Sequence, residues 1–387
     1  MEHRQNNTLA FCLFKYFPHG GQQRDMLLIA QACQARGYTI GIYTTQWEGP
    51  VPEGFEVHTA QLTAWTNHGR MRQYHCWLRE QLRAAPARCV VGFSKVPGLD
   101  VYFAADSCYV ERVTRRHGPA YRLTGRYRTY AGLEAALLGP ASQTEILLIS
   151  ESQRAAFQKH YGTAAERMHL LPPWVAPDRK PPQDRDRARR AIRQELGLDE
   201  DTLLLVQIGS GFHTKGVDRT LRALAGLPRQ VRTSTTLAVA GRSGSRGYRR
   251  LAVKLGIGEN TRFLGERNDV MDLMAAADLM VHPARDEAAG VVLIEALICG
   301  LPVICSGICG HAFHIDRAQA GRVLPEPFDQ ACLSESLRDM LAKEKLATCR
   351  ENALAWARSH DFQHMPQDAA DIIEAVIRKK DQHAERG

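Results

Sequence analysis

The stretch Leu203-Leu204-Leu205-Val206-Gln207-Ile208-Gly209 is a short apolar run that ends in a glycine. A continuous apolar run of this length is typical of a strand buried on both faces of a parallel sheet. Similar runs alternate with helical stretches, such as the helix predicted from Gln23 to Arg36, which Gly37 would end. The alternation indicates an α/β architecture of parallel sheets covered by helices, with further strands predicted at residues 9–14, 39–44, 89–94, 101–106, 145–150, 169–171, 237–241, 262–265, 279–283, 302–306 and 322–324.

A proline-rich segment near residue 173 separates the two halves of this pattern. Pro172 and Pro173 close one predicted strand, and three more prolines lead into a charged stretch at residues 184–193. Proline stiffens the backbone and the charge disfavours burial, so we predict an exposed, semi-rigid linker. We therefore predict two doubly wound, Rossmann-like domains, residues 1–172 and 173–362, that face each other across a ligand-binding cleft.

Composition and charge narrow the class of protein. The chain has 387 residues, of which 44% are hydrophobic and 24% charged, as in ordinary globular proteins. Fifty Lys and Arg residues against 42 Asp and Glu residues give a net charge of +8, which favours anionic partners without identifying one. The apolar runs are far shorter than the ~20 residues of a membrane-spanning helix, and residues 1–8 are too polar for an export signal. We expect a cytoplasmic protein.

Potential metal ligands are scattered along the chain. The ten cysteines form no Cys-x-x-Cys pair, so we expect them to be reduced. Two Asp-x-Asp patterns, at residues 184–186 and 199–201, fall in stretches expected to be solvated. His311 and His314 could share one face of a helix, but a histidine pair alone is a weak indication of a metal site. We predict that the protein holds neither a metal nor a cofactor.

Two glycine turns follow predicted strands. Gly20 and Gly21 follow the first strand and precede Asp25, and paired glycines let backbone N–H groups approach an anion. In the second half, Gly209-Ser210-Gly211 begins like a dinucleotide fingerprint but has a threonine in place of the third glycine, and it lacks the Walker order. Lys215 follows it, and a lysine there suits a phosphate group, although on its own a surface lysine is the simpler interpretation.

Two glutamates lie around the start of a predicted helix. Glu287 and Glu295 are eight positions apart, about two helical turns, so both are expected to face the same ligand. The small residues at 288–290 would open the helix, whose free N–H groups lie beside Glu287. Glu295 lies within an apolar run, where an ionised carboxylate needs a hydrogen-bonding partner.

This set of motifs resembles the retaining glycosyltransferases of family 4, which have the GT-B fold. Within that family, residues 14–25, 97–106 and 268–270 are similar to enzymes that transfer glucose from UDP-glucose to the inner-core heptose of lipopolysaccharide. The similarity extends over nearly the whole chain. It implies a hexosyltransferase with an acceptor-binding first domain and a nucleotide-sugar-binding second domain. A C-terminal helix at about residues 363–387 would pack back on the first domain.

The resemblance also implies roles for single residues. Glu295 would bind the ribose hydroxyls and Lys215 the diphosphate. The implied catalytic residues are Glu287 at the donor sugar, Asp25 where donor sugar and acceptor meet, and Asp106 at the acceptor hydroxyl. No metal and no protein nucleophile would be needed. The complete set of implied donor-binding residues is Gly20, Gly21, Arg179, Lys215, Asn268, Asp269, Ala288, Ala289, Gly290 and Glu295. Trp174 stands where relatives have glycine and Thr214 where they have arginine, which leaves the identity of the hexose open.

A basic stretch at residues 109–138 is interleaved with tyrosines. It contains six arginines and two glutamates, Glu111 and Glu134, so it carries +4 of the net charge. Because the implied acceptor is a lipid in the inner membrane, we predict that this stretch docks on the anionic inner face of that membrane, although a solvated helix is the simpler interpretation. The predicted contact residues are Arg112, Arg115, Arg116, Tyr121, Arg122, Arg126, Tyr127 and Arg128.

Other classes of protein stay open at this point. A UDP-sugar 2-epimerase would share the architecture but would convert UDP-glucose without any acceptor. A nucleic-acid-binding protein is suggested only by the net charge, and the sequence has no zinc-finger, helix-turn-helix or RNP pattern. A nicotinamide-dependent oxidoreductase is disfavoured because the glycine fingerprint is incomplete.

Overall fold

The computed structural model describes residues 7–18 and 20–384. The start of the chain at residues 1–6, where no export signal is predicted, and the predicted helix end at 385–387 lie outside the described residues. The chain divides into two compact units. Unit 1 comprises Met1–Pro172 and His364–Gly387, and unit 2 comprises Pro173–Gln363.

Unit 1 is built on a seven-stranded parallel sheet with the strand order β3-β2-β1-β4-β5-β6-β7. Its strands are β1 Thr8–Cys12, β2 Thr39–Thr44, β3 Phe55–Thr59, β4 Cys89–Gly92, β5 Val101–Ala104, β6 Glu145–Leu148 and β7 Met168–Leu170. Its helices are α1 Gly21–Ala35, α2 Asn67–Ala84, α3 Tyr109–Arg116, α4 Gly125–Leu138, α5 Glu151–Tyr161 and the C-terminal α15 Met365–Ala384, with short 3-10 helices at Pro119–Leu123 and Ala165–Arg167. The strand order reverses between β1 and β4, and parallel sheets bind ligands at such a point.

Helix α15 belongs to unit 1 although it is the last element of the chain. It packs against α1, where Arg36 donates to the carboxylates of Asp371 at 2.7 Å and Glu374 at 3.0 Å. Further along, Lys380 donates to Asp100 at 2.8 Å. Its apolar residues, such as Ile373 and Ile377, are buried. An amphipathic face and several ion pairs thus fix the helix to this unit.

Unit 2 is built on a six-stranded parallel sheet with the order β10-β9-β8-β11-β12-β13. Its strands are β8 Leu203–Ile208, β9 Thr235–Ala240, β10 Thr261–Gly265, β11 Leu279–His282, β12 Val303–Ser306 and β13 Gly321–Leu324. Its helices are α6 Arg185–Leu196, α7 Val217–Ala225, α8 Arg229–Thr233, α9 Arg246–Lys254, α10 Val270–Ala276, α11 Val291–Ile298, α12 Ala312–Arg317, α13 Gln330–Met340 and α14 Lys343–Arg358. This is the order of a doubly wound dinucleotide-binding sheet, with the reversal between β8 and β11.

The charged stretch at residues 184–193 is not a linker, and that prediction was wrong. It forms most of α6, which begins where the Asp184 carboxylate accepts from the Arg187 N–H at 2.9 Å. Ile192 and Leu196 are buried in the core. The buried Arg193 guanidinium donates to backbone carbonyls, including that of Glu200 at 3.0 Å. Proline and charge density misled the prediction because arginines of α6 donate to backbone carbonyls inside the fold and so need not lie in solvent.

Strand β3 was missed because it lies at the edge of its sheet. It pairs only with β2, and most of its side chains are at least partly exposed. All the strands that were predicted are present, most of them one or two residues shorter than predicted. Within the described ranges, none of the helices combines the length and apolar character needed to cross a bilayer. The ten cysteines are free thiols in the described structure.

Candidate active site

The loop after β8 is fixed to the end of β11, at the reversal point of unit 2. Gly216 has a φ of +72°, and a Cβ atom there would lie 2.2 Å from the carbonyl oxygen of Pro283. The Arg285 N–H donates to the Thr214 carbonyl at 2.7 Å, and the Gln207 side chain donates to the Lys215 carbonyl at 2.6 Å. The loop therefore presents Lys215 at the carboxyl end of the sheet, where the sequence predicts a phosphate site.

Lys215, Glu287 and His282 form a compact polar cluster at this position. The Lys215 ammonium is in direct contact with the Glu287 carboxylate, and His282 Nε2 lies 3.3 Å from the same oxygen. Burial alone would raise the pKa of Glu287, but the hydrogen bond from His282 and the charge of Lys215 lower it to about 2. In the described part of the chain, the buried Nδ1 atom of His282 has no hydrogen-bond partner. Glu287 is therefore an ionised, half-enclosed carboxylate.

The backbone at residues 288–290 is held in place before α11 begins. The Ala289 carbonyl accepts from the His311 N–H at 2.7 Å. A Cβ atom at Gly310 would lie 1.9 Å from the Ala288 carbonyl, so only glycine allows the two segments to approach this closely. Helix α11 starts at Val291, so Glu287 lies in the loop and not on the helix. The argument that a spacing of two helical turns places Glu287 and Glu295 on one face therefore does not hold, because only Glu295 is on the helix.

Glu295 is paired with Arg179, and both residues are among those predicted to bind the donor. Arg179 Nε lies 3.8 Å from the Glu295 carboxylate, whose side chain is 14% exposed. Arg179 also lines a pocket of about 350 Å³ together with Ile298 and Phe362. A carboxylate on a largely apolar helix thus has its charge balanced by a residue that precedes α6.

Asn268 and Asp269 lie apart from this cluster. They follow β10, the edge strand, which β9 separates from β8. Asp269 accepts from Arg267 at 2.7 Å, and this contact lowers the pKa of its carboxyl group. Arg267 also donates to Glu195 at 2.5 Å, so Asp269 belongs to a surface ion-pair network. Asn268 is exposed beside it.

In unit 1, the predicted residues surround the reversal point between β1 and β4. Gly20 caps α1, and a Cβ atom at Gly21 would meet no atom within 4 Å, so the helix start is open. Burial raises the pKa of Asp25, although Arg24 at 3.2 Å opposes the shift. Asp106 follows β5 and lines a pocket of about 300 Å³. The described lining residues include Asp106 and Gln22 but not Asp25.

The basic stretch forms α3, a 3-10 helix and α4. Five of its predicted contact residues have exposed side chains: Arg115, Arg116, Arg122, Arg126 and Arg128. Tyr121 and Tyr127 are half-buried. Arg112 differs from the exposed arginines, because it is half-buried over the Tyr109 ring and lines the unit 1 pocket.

Of the two glutamates in the basic stretch, Glu111 pairs with Arg115 at 3.7 Å, whereas Glu134 pairs with a lysine outside the stretch. Glu134 is completely buried and accepts from Lys95 at 2.5 Å and from the Tyr109 N–H at 2.9 Å. Glu111 is in direct contact with His160, and Lys159 lies 3.3 Å away. The exposed charge of this surface is therefore more positive than the sequence count indicates.

Sequence analysis missed two exposed apolar residues near this surface. Trp65 is fully exposed and Leu123 is 72% exposed. They lie on neighbouring segments, since a Cβ atom at Gly125 would come within 3.8 Å of His68 at the start of α2. A tryptophan in a polar loop was a visible signal, but its exposure could not be read from the sequence.

Comparison with known proteins identifies the family. Residues 19–179 match the family model "Glycosyltransferase Family 4", and residues 188–356 match "Glycosyl transferases group 1". The chain belongs to the family 4 glycosyltransferases. It is 47% identical over 366 residues to the lipopolysaccharide glucosyltransferase WaaG of Escherichia coli K12, a match that spans 94% of this chain and 98% of that protein. The predicted hexosyltransferase class is thereby confirmed, and the family membership sets aside the other classes.

Solved structures of glycosyltransferases have the same fold. The crystal structure of WaaG superposes with a TM-score of 0.82 and covers 94% of this chain and 99% of that one. Anabaena HepE in complex with UDP and glucose, 19% identical, has a TM-score of 0.67 and covers 96% of this chain and 99% of that one. At that identity the second match shows the fold alone. The predicted GT-B fold of this glycosyltransferase is confirmed.

Proposed function

We propose that the protein transfers glucose from UDP-glucose, with retention of configuration, to the inner-core heptose of lipid-anchored lipopolysaccharide. The observation that carries this proposal is the 47% identity to a lipopolysaccharide glucosyltransferase along nearly the whole of both chains. An identity that extends through both units involves the acceptor side as well as the donor side. The cluster at the end of β8 and β11 supplies the chemistry.

Lys215 is the proposed partner of the donor diphosphate. Without a donor, its charge is balanced by Glu287. A diphosphate carries more negative charge than a carboxylate and attracts the flexible ammonium group, while the N–H groups near Gly290 at the start of α11 add a favourable dipole. Negative charge grows on the diphosphate as the glycosidic bond breaks, so fixed positive groups stabilise the transition state without a metal.

Glu287 is then free to accept hydrogen bonds from the hydroxyls of the donor sugar. His282 stays at 3.3 Å and holds the carboxylate in place after Lys215 has moved. Glu295 with Arg179 binds the ribose end of the nucleotide. The departing phosphate takes the proton of the acceptor hydroxyl, so no protein nucleophile is required, and Asp106 positions that hydroxyl in the unit 1 pocket.

The exposed basic surface of unit 1 is the proposed docking face for the anionic inner leaflet of the inner membrane. Basic residues near an anionic surface contribute about 1 kcal/mol each, so several together give reversible, salt-sensitive binding. Trp65 and Leu123 add apolar side chains at the same surface, and tryptophan favours the headgroup region of a bilayer. The protein would therefore reach its lipid acceptor as a peripheral membrane protein.

A panel of UDP-sugars with a truncated lipopolysaccharide acceptor tests the enzymatic proposal. We expect one hexose to be added from UDP-glucose, detected by mass, and slow hydrolysis only when the acceptor is omitted. Conversion of UDP-glucose to another UDP-sugar without acceptor would instead demonstrate an epimerase. Transfer from a different donor would overturn the assignment of glucose.

Sedimentation with anionic vesicles tests the docking face. Changing three exposed arginines to serine is expected to abolish sedimentation at low salt: Arg122, Arg126 and Arg128. The matched control removes the same charge from exposed positions of unit 2: Arg187, Arg190 and Arg229. Equal loss in both triple variants would show that net charge alone drives binding, and no loss in the first would exclude this surface.

A further inference from the structure

The unit 1 pocket carries more positive charge than a neutral sugar requires. It lies at the ends of β1, β4 and β5, has a volume of about 300 Å³, and is lined by three cationic residues, Lys15, Lys95 and Arg112. Asp106 is the acidic residue among the described lining residues. The three cations differ in whether a carboxylate of the protein forms an ion pair with them.

Lys95 is neutralised by its own surroundings. Its ammonium group lies 2.5 Å from the buried Glu134 carboxylate and donates to the Ser107 carbonyl at 2.8 Å. Its side chain is only 14% exposed. Lys95 therefore belongs to the internal support of α3 and does not contribute a free charge to the pocket.

Lys15 and Arg112 have no such partner. Across residues 7–18 and 20–384, neither side chain forms an ion pair with a carboxylate, and both are half-buried. The Arg112 guanidinium lies over the Tyr109 ring, 5.7 Å from its centre, which leaves its N–H groups available. The Lys15 backbone is held because its carbonyl accepts from the Gln23 side chain at 3.1 Å. Two cations without an ion-pair partner among the described residues thus line the pocket with one acidic residue.

The other lining residues suit a carbohydrate. Gln22, Gln23 and Ser94 are polar, and the half-buried Tyr130 adds a ring to the lining that can contact the C–H surface of a sugar. The Asp106 carboxylate can accept a hydroxyl group. An acceptor that satisfies all these groups has hydroxyls for Asp106 and one anionic substituent for the cations.

We infer that this pocket recognises the acidic group of a sugar acid or phosphosugar in the acceptor, through Lys15 and Arg112. Arginine forms paired, charge-assisted hydrogen bonds with a carboxylate or phosphate, and lysine adds a point charge. This inference rests on the proposed function, because it takes the acceptor to bind in unit 1. It assigns Arg112 to acceptor specificity and not to the membrane-docking face.

The position of the pocket fits a lipid-linked acceptor. Helix α3 carries Arg112 at the pocket and the exposed Arg115 and Arg116 near its end. Helix α4 likewise carries Tyr130 at the pocket and the exposed Arg126 one turn earlier. The same two helices therefore supply the proposed docking surface and the proposed acid-binding residues.

The test measures KM and kcat with detergent-solubilised acceptor, which removes any contribution from membrane docking. Three acceptors are compared: the natural form, a form with its sugar-acid carboxylates converted to methyl esters, and a form treated with phosphatase. For the wild-type protein, we expect the loss of the recognised group to raise KM at least about tenfold, as expected for a charge-assisted hydrogen bond. The modified acceptor that shows this increase identifies the group as carboxylate or phosphate.

The variants Lys15→Met and Arg112→Met are expected to raise KM for the natural acceptor by a similar factor and to leave KM for the modified acceptor unchanged. Arg112→Lys should recover part of the affinity, and Arg115→Met, on the same helix but exposed, is the matched control. Hydrolysis of UDP-glucose without acceptor reports that each variant is folded.

Failure of the proposed function and failure of the acid-binding inference give different results in this test. If the wild-type protein transfers no hexose to any of the three acceptors, the proposed function is wrong. If it transfers hexose with the same KM to all three, or if the two methionine variants lose equal affinity for natural and modified acceptors, the acid-binding inference is wrong.

Discussion

Replacing Glu134 by alanine should destabilise unit 1 more than any surface change in the basic stretch. Glu134 has no exposed surface, and its carboxylate accepts from Lys95 at 2.5 Å, from Tyr161 at 2.5 Å and from the N–H groups of Tyr109 and Val110 at 2.9 and 3.2 Å. The last two are free N–H groups at the start of α3. Glu134 on α4 therefore anchors α3, which carries Arg112.

The expected loss in the free energy of unfolding follows from the groups that the substitution leaves without a partner. Breaking a buried ion pair from one side costs about 3–5 kcal/mol, because the remaining charge stays buried without a partner. Here the remaining groups are the Lys95 ammonium, the Tyr161 hydroxyl and two backbone donors. Such a loss is a large fraction of the about 5–15 kcal/mol that stabilises a typical domain. Changing Lys95 to methionine and Glu134 to leucine together should restore much of this loss, because no buried charge is then left unpaired.

Hydrogen exchange of the α3 amides in increasing urea measures the effect, because a chain with two units is not expected to unfold in one step. The pH dependence is a second measurement. Burial raises the pKa of Glu134, but Lys95 and the hydrogen bonds outweigh it and lower the pKa below its ordinary value of 4.5. Its stabilisation is therefore complete above that value and is lost as the pH falls below it. A loss under about 1 kcal/mol for Glu134→Ala, or a double variant less stable than the single one, would refute the reasoning.

Four further outcomes are expected. Lys215→Ala should lower kcat more than it raises KM for UDP-glucose, since charge on the diphosphate grows toward the transition state; a change in KM alone would show uniform binding. Glu295→Ala should weaken UDP binding by about 1.5–3 kcal/mol in calorimetry with little change in thermal stability, and unchanged affinity would exclude the ribose contact. Activity should survive EDTA, and a clear loss would contradict the proposed metal-free mechanism. Unit 2 should lose stability in urea as the pH falls from 6.5 toward 4, because burial lowers the pKa of His311 to about 4 and of His314 to about 3; His314→Gln should flatten this dependence.

The strands of both sheets could be read from the sequence because burial on both faces demands uninterrupted apolar residues. Leu203–Ile208 and Leu279–His282 show this most clearly. The same rule fails for Phe55–Thr59, because an edge strand is partly exposed and needs no such run. It also fails for α6, where arginines such as Arg193 find carbonyl partners inside the fold.

For the candidate site too, the sequence indicated some features and only the structure showed the others. The sequence alone indicated Lys215, Glu287 and Glu295 as chemically important, because glycine turns and carboxylates after buried strands mark the ligand-binding end of a parallel sheet. It did not show that Lys215 and Glu287 neutralise each other, or that His282 shares the carboxylate. The Lys215–Glu287 contact joins positions 72 residues apart, and the His282–Glu287 contact depends on how the chain turns after β11, so the fold establishes both.

By itself the sequence determined the two parallel-sheet units and the segments that end at their ligand-binding edges, and its resemblance to known enzymes indicated glycosyl transfer. Only the tertiary structure decided the part each charge plays. Glu134 and Arg112 lie in one basic stretch, yet Glu134 is buried against Lys95 and Arg112 turns to a pocket. The physical reason is that apolar periodicity is a local property of the chain, whereas the effect of a charge depends on its burial and on the groups within about 4 Å of it.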